Sequence, residues 1–211
     1  MRRFLLGCGI LSSLLYVAMN VVIAARWPGY SPVTQTVSEL SAIGAPTRSL
    51  WVPLGYIYTV LVGAFGWGVW KSAGGSRALR VLGALIVVYG SLGLFWPPMH
   101  LREALAAGGH TTTDTLHISF AMVTVALMLL AIGFGAAAAG RSFRVYSIAT
   151  LVVLLVFGLL TGREAPGIES NQPTPLIGVW ERINIGAFLL WVVVLATTLM
   201  RGTPRRDAAS G

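Results

Sequence analysis

The sequence predicts an all-α protein, an integral membrane bundle of six transmembrane helices with a short surface helix in the first outer loop. The first observation is composition: of 211 residues, 55% are hydrophobic and only 10% are charged, whereas a soluble domain carries about 25% charged residues. The second is a set of six apolar runs, each close to the roughly 20 residues with which a helix crosses a bilayer. We expect residues 1–200 to form one transmembrane domain and residues 201–211 to form a basic cytoplasmic tail.

The connections between the apolar runs alternate in character. Lys71–Ala78 and Gly140–Arg144 are short, basic links, whereas the other connections are longer and hold most of the prolines and acids. This alternation is typical of a chain that crosses the membrane repeatedly and has two different faces. The predicted spans are Phe4–Ala25, Trp51–Trp70, Leu79–Trp96, Leu116–Ala139, Val145–Leu160 and Ile177–Met200.

Basic residues are distributed unequally between the two faces. Ten lie with the termini and the short links, and five lie on the opposite face together with six of the seven acids. Because cytoplasmic loops carry an excess of Lys and Arg, both termini are predicted to be cytoplasmic. Membrane topology therefore accounts for the formal net charge of +8, and nucleic acid is not expected as a partner. The ten are Arg2, Arg3, Lys71, Arg77, Arg80, Arg141, Arg144, Arg201, Arg205 and Arg206; the five are Arg26, Arg48, Arg102, Arg163 and Arg182.

The segment His110–Phe120 places ionisable residues at the start of the fourth span. Asp114 and His117 are three residues apart and therefore share a helix face. Such residues can serve as a carboxylate–imidazole pair or as two metal ligands. Alternatively, Thr111 and Asp114 form a capping box, and His117 only hydrogen-bonds a neighbouring helix.

The segment Tyr30–Arg48 is too polar to span a membrane. Thr36 and Glu39 have the spacing of a helix capping box. We therefore expect a short helix at the outer surface, in which Ser38 and Glu39 either point at the mouth of the bundle or only cap that helix.

The last span begins with charged side chains at membrane depth. Glu181 and Asn184 share a helix face, and Arg182 is adjacent. An unpaired charge at this depth is costly, so a partner is expected for each. One alternative is a pair between Glu181 and Arg182, or an arginine that extends to lipid head groups. The other is a pair across helices, with Asp114 or His117 as the partner.

The cost of an isolated charge leads to one site hypothesis. A charged side chain costs at least ~2.5–3.5 kcal/mol at the bilayer centre and less toward the interface, so these groups should turn inward and converge around a pocket at the outer end. The pocket would bind a lipid head group or a small solute. A structural or regulatory subunit, whose polar residues only hold helices together, is the non-catalytic alternative. The candidate pocket residues are Ser38, Glu39, Asp114, His117, Glu181 and Arg182.

The same segments resemble a known family. The stretch "YSPVTQTVSELSAIGAP" from Tyr30, the histidine His117 and the "WERIN" of Trp180–Asn184 resemble the bacterial membrane family catalogued as domain of unknown function 998. The resemblance extends over nearly the whole chain. It implies a six-helix bundle in a prokaryotic plasma membrane, and it implies no biochemical function. It also draws attention to Ser38, Glu39, His117, Glu181 and Arg182.

A more distant likeness is to membrane hydrolases of the alkaline ceramidase type, which use a serine, an aspartate and three histidines around zinc. It supports a further alternative, an intramembrane metal-dependent hydrolase with zinc as its cofactor. Those proteins have seven spans and histidines near the last helices, whereas the last two predicted helices here contain none. The residues that the likeness would use are Ser38 together with the candidate metal ligands His100, His110, Asp114 and His117.

The predicted topology can be tested by labelling. Cysteines placed at Ser76 and Ser142, in a Cys8→Ser background, should resist an impermeant thiol reagent in intact cells, because both positions lie in the basic, cytoplasmic links. A cysteine in the long link Pro97–Thr115 is the positive control. Ready labelling at both Ser76 and Ser142 would show that the predicted orientation is wrong.

Overall fold

The computed structural model describes residues 1–202, and the predicted tail beyond Gly202 lies outside the described residues. Six long helices in the described chain have the length and apolar composition to cross a membrane, which confirms the predicted fold class. The other two helices, α4 and α7, are short. In chain order the helices are α1 (Arg2–Ala24), α2 (Arg48–Lys71), α3 (Arg77–Leu92), α4 (Arg102–Ala106), α5 (Thr112–Ala138), α6 (Arg141–Glu164), α7 (Pro166–Glu169) and α8 (Ile177–Arg201).

All six predicted spans are present. Most begin or end a few residues beyond the prediction because polar residues continue the helices, whereas α3 ends at Leu92, short of the predicted Trp96. The helix α5 begins at Thr112 because the Thr111 side chain accepts from the third helical N–H, while the Asp114 side chain accepts from the N–H of Thr111. These bonds satisfy backbone donors that the first helical turn leaves free. The helix α6 similarly continues past the predicted end at Leu160 to Glu164.

The six long helices form a closed ring. Each long helix packs against the next along the chain, and α8 also packs against α1. Arg2 Nη2 donates to the carbonyl of Gly202 (3.4 Å), so the first and last helices meet at one end. We call it the basic end, since the short basic links also lie there, and we call the opposite end the acidic end. The acidic end carries Glu39, Glu103, Asp114, Glu164, Glu169 and Glu181.

Glycines bring α2 and α3 into backbone contact. A Cβ atom on Gly83 would lie 2.6 Å from the backbone nitrogen of Trp70, and one on Gly66 would lie 2.7 Å from that of Val87. Both distances are shorter than a van der Waals contact, so a larger residue would force the helices apart. Close approach through small residues is a common way for membrane helices to associate. Within a bilayer the hydrophobic effect does not drive helices together, and van der Waals contacts between closely packed backbones stabilise the pair instead.

Large apolar side chains fill the half of the ring nearer the basic end. Phe65, Leu82, Ile132 and Trp191 come from four different helices and are fully buried there. The indole Nε1 of Trp191 donates to Ser147 Oγ (2.9 Å), so this polar atom is satisfied inside the core. The ring is therefore closed by packing at the basic end and wider toward the acidic end.

The links at the acidic end fold over the bundle. The predicted short helix is a 3-10 turn at Ser38–Ser41, and its Glu39 and Leu40 are fully buried. The backbone N–H of Ile43 donates to the carbonyl of Met99 (2.7 Å), which joins the first and third links. The turn expected at the outer surface is thus packed into the protein, because its apolar and carboxylate side chains both find partners inside.

We predict that Gly83→Ala destabilises the protein, because the added methyl group would collide with the α2 backbone. Overpacking of this kind costs about 1–3 kcal/mol, which should lower the midpoint of thermal unfolding in detergent. The matched control is Gly133→Ala on α5, where a Cβ atom has nothing within 4 Å. Equal midpoints for the two variants would contradict the close α2–α3 contact.

Candidate functional site

A cavity of about 500 Å³ occupies the half of the ring nearer the acidic end, and every long helix contributes to its wall. The wall is mostly apolar, with Met128 and Phe188 toward the bundle centre. Ile118 and Met122 line the cavity yet are 50% and 69% exposed, so the cavity is open to the surroundings beside α5. Its polar lining toward the acidic end includes Ser38, Ser41, Arg48, His117, Thr161 and Glu181.

Ser38 and His117, two of the six candidate pocket residues, are in contact at the cavity wall. His117 Nε2 lies 3.2 Å from Ser38 Oγ, and His117 Nδ1 lies 2.8 Å from the carbonyl oxygen of Pro97. Trp96 packs edge-on against the imidazole, with ring centroids 5.3 Å apart. The imidazole is therefore held at both nitrogens and against an aromatic ring, in one orientation.

Glu181 is the third candidate residue that lines the cavity. One of its carboxylate oxygens accepts from the backbone N–H of Val37 (2.5 Å), and the other has no hydrogen-bond partner among residues 1–202. The Tyr16 hydroxyl also lacks a partner there, whereas the hydroxyls of Tyr58 and Tyr89 bond to each other (3.0 Å). Glu181 and Tyr16 thus leave polar atoms available to a ligand.

Glu39 does not line the cavity, contrary to the predicted convergence. Its buried carboxylate forms a bidentate ion pair with Arg102, with both N–O distances at 2.8 Å. The N–H and the hydroxyl of Thr36 donate to the same carboxylate (2.7 and 3.0 Å). Hydrogen bonding to this carboxylate raises the pKa of Arg102. Arg102 also donates to Thr174 Oγ1 (3.2 Å), so the charge of Glu39 is satisfied among the links.

Asp114 also lies outside the cavity wall, although it shares a helix with His117. Its carboxylate accepts from the N–H and the hydroxyl of Thr111 (both 2.8 Å), which is the capping alternative. It further accepts from the backbone N–H of His100 (2.7 Å) and lies 2.9 Å from His100 Nδ1. A carboxylate–imidazole pair is therefore present, but His100 is the imidazole partner.

Arg182 fastens the link between α1 and α2 to α8 and does not line the cavity. It donates to the carbonyls of Pro32 and Gln35 (2.8 and 3.1 Å) and to the Tyr30 hydroxyl (2.5 Å). Burial raises the pKa of Tyr30 to about 12, so its hydroxyl keeps its proton at neutral pH. Neither Glu181 nor Arg182 forms an ion pair within the described chain. Both predicted pairings are therefore wrong, because Glu181 and Arg182 each bond to backbone groups of the link instead.

The four candidate metal ligands do not gather into one cluster, although His100 and Asp114 are in contact. His110 is exposed, His100 is bonded to Asp114, and both ring nitrogens of His117 have partners. Among residues 1–202, no three His, Cys, Asp or Glu side chains are grouped so as to hold a metal ion. These residues do not fit the zinc site that the hydrolase alternative requires.

Several residues of the site were not identified from the sequence. Arg102 could have been proposed from the sequence, because a buried Glu39 carboxylate requires a cation and the acidic face has few basic residues. The carbonyl of Pro97 could not have been proposed, because every residue has a backbone carbonyl and the residue type does not show which one binds His117. The remaining residues lie in or next to apolar runs and have the pattern of ordinary core or boundary positions: Tyr16, Arg48, Tyr58 and Tyr89.

The class of protein follows from the surface of the ring. Large apolar side chains such as Phe4, Val60 and Leu159 are 64–76% exposed on the long helices, as expected where lipid and not water is the surrounding medium. With six helices of spanning length, the chain is a multi-pass membrane protein. Over residues 10–198 it matches the family described as Protein of unknown function (DUF998), and it belongs to that family, which confirms the resemblance. No curated protein and no solved structure matches the chain.

We predict that Arg102→Met destabilises the protein by about 3–5 kcal/mol, because it leaves the buried Glu39 carboxylate without its cation. The measurement is the unfolding free energy in detergent micelles. Arg163→Met, at an exposed arginine of the same end, is the control and should change little. The double variant Glu39→Gln with Arg102→Met should recover part of the loss. A loss no larger than that of the control would show that the pair does not stabilise the fold.

Proposed function

We propose that this protein binds one amphiphilic lipid in the cavity, with the polar head toward the acidic end and the apolar chain between the helices. The observation that carries the proposal is the cavity itself, about 500 Å³ in volume, apolar inside and polar at one end. Ligand sites commonly have volumes of ~300–1,000 Å³ and a mostly apolar wall with a few polar groups.

The dimensions of the cavity suit a chain-like ligand. On α5 the lining extends from His117 to Met128, and at about 1.5 Å per residue this corresponds to roughly 16 Å along the helix. The opening beside Ile118 and Met122 would let an acyl or isoprenoid chain enter from the bilayer without crossing water. A compact polar solute would leave most of this apolar wall without contacts.

The polar end offers both acceptors and donors to a head group. Glu181 has one carboxylate oxygen without a partner, and Tyr16 has a free hydroxyl. Arg48 lines the same region, where one of its guanidinium nitrogens donates to the carbonyl of Ser41. These groups favour a head with hydroxyl or amine donors next to ester or phosphate oxygens.

A purely structural or regulatory role accounts for only some of the polar residues. Glu39, Asp114 and Arg182 each form several hydrogen bonds within the protein and hold links and helices together. The same explanation does not extend to Glu181 and Tyr16, whose side chains are only partly buried and line the cavity, where each keeps a polar atom without a protein partner among residues 1–202.

We further infer that the termini are cytoplasmic and that the acidic end faces outward. The ten-to-five distribution of basic residues supports this orientation,. The ligand would then come from the outer half of a prokaryotic plasma membrane, which the family resemblance favours.

We predict that Ala121→Phe reduces lipid binding, because the phenyl ring would occupy the cavity that Ala121 lines. The measurement is native mass spectrometry of the purified protein, which gives the fraction with a bound lipid. Ala126→Phe on the same helix is the matched control, since Ala126 is exposed and lies outside the cavity wall. Lipid occupancy should fall several-fold only in Ala121→Phe. Absence of bound lipid in the unsubstituted protein, after reconstitution in lipid, would contradict the proposed function.

A further inference from the structure

We propose that Ser38 and His117 form a nucleophile–base pair that hydrolyses an ester bond of the lipid held in the cavity. This inference rests on the proposed lipid-binding function, because the pair would act on what the cavity holds. It assigns the protein an activity of the serine hydrolase type, without a metal ion in the reaction.

The hydrogen bonds of His117 give its imidazole the tautomer of a general base. A carbonyl oxygen can only accept, so the contact with Pro97 (2.8 Å) places the proton of the neutral ring on Nδ1,. Nε2 is then the acceptor, and the Ser38 hydroxyl, 3.2 Å away, donates to it. A base oriented by a third group and bonded to a hydroxyl is the arrangement that activates a serine. Here the carbonyl of Pro97 takes the orienting place that a carboxylate takes in the Ser-His-Asp triad.

Ser38 is held firmly from both sides. The N–H of the preceding residue, Val37, is bonded to the Glu181 carboxylate, and the side chain of the following residue, Glu39, forms the buried ion pair with Arg102. These two contacts fix the backbone on either side of the nucleophile. A reacting group positioned in this way loses little entropy when the substrate arrives.

The pair faces the cavity. Ser38 and His117 both belong to the cavity wall, and Ser38 is only partly buried. Arg48, whose guanidinium is bonded to the carbonyl of Ser41 one turn after Ser38, supplies a cation at the same end of the cavity. A cation there would stabilise the negative charge that develops on an ester carbonyl oxygen.

The reaction is an acyl transfer to serine followed by hydrolysis. Ser38 Oγ forms a bond to the ester carbonyl carbon while its proton passes to His117 Nε2. The bond between that carbon and the alcohol oxygen breaks, and Nε2–H protonates the departing alcohol. Water then attacks the acyl-serine and gives a proton to Nε2, which returns it to Ser38 Oγ as the carboxylic acid leaves. Water is the only co-reactant, and no electron is transferred.

The test uses a fluorophosphonate with a long alkyl chain, which reacts covalently with activated serines. Purified full-length protein is incubated with this probe in detergent, and intact mass and peptide mapping locate the adduct. We expect one adduct, on Ser38, and none in Ser38→Ala. His117→Ala should slow labelling on the order of 100-fold or more, as loss of a general base does. His110→Ala, at an exposed histidine, is the control and should label at the wild-type rate.

A second measurement separates catalysis from a structural role. Added imidazole should restore part of the labelling rate of His117→Ala, because a free base can replace the missing one, whereas it would not repair a loosened loop. If His117→Ala does not fold, the position of the adduct in the wild-type protein decides. No adduct on Ser38, or labelling of His117→Ala at the wild-type rate, overturns the inference.

The outcomes also separate this inference from the proposed function. Bound lipid in both the wild-type protein and Ser38→Ala, together with an unreactive Ser38, would refute the hydrolase and leave lipid binding intact. Conversely, labelling of Ser38 by a short-chain fluorophosphonate in a protein that retains no lipid would support the activated serine and refute the lipid cavity.

Discussion

The buried ion pair between Glu39 and Arg102 is the interaction on which the acidic end of this protein depends. It joins the link between α1 and α2 to α4 and, through Thr174, to the link before α8. Thr174 in turn donates to the carbonyl of Thr34 (2.8 Å), which closes the connection. Removing two such charges from water is expensive, and bidentate geometry with additional donors is the condition under which their attraction offsets that cost. The pair therefore specifies one arrangement of three links above the cavity.

The polar residues at this end divide into two groups with different physical roles. Glu39, Asp114 and Arg182 each form several hydrogen bonds within the protein, and they fasten the links to the helices. Ser38, His117 and Glu181 have access to the cavity. The groups are adjacent in sequence, because Ser38 precedes Glu39 and Glu181 precedes Arg182. Glu39 and Arg182 thus set the backbone from which Ser38 and Glu181 reach the cavity, so stability and the proposed chemistry are coupled through the chain.

The packing of the ring explains why the cavity lies at this end. Glycines let α2 and α3 touch, and large side chains such as Phe65 and Trp191 fill the ring near the basic end. Toward the acidic end small residues line the space, including Gly55, Ala121 and Gly162, and a Cβ atom on Gly55 or Gly162 would have nothing within 4 Å. A wall of small residues encloses space that larger side chains would have occupied. The links, which carry the charges, then cover the space with polar groups.

Composition and periodicity alone determined the six helices and the division into a basic and an acidic face, because a bilayer demands long apolar helices with satisfied backbones. The cost of burying charge also indicated that polar residues gather at the acidic end. The tertiary structure decided which of them meet. Glu181 and Arg182 bind backbone groups of a distant link, and His117 is oriented by the carbonyl of Pro97. Every residue has a backbone carbonyl, and every residue except proline has a backbone N–H. The residue types therefore do not show which of these groups become partners, and only the three-dimensional path of the links selects them.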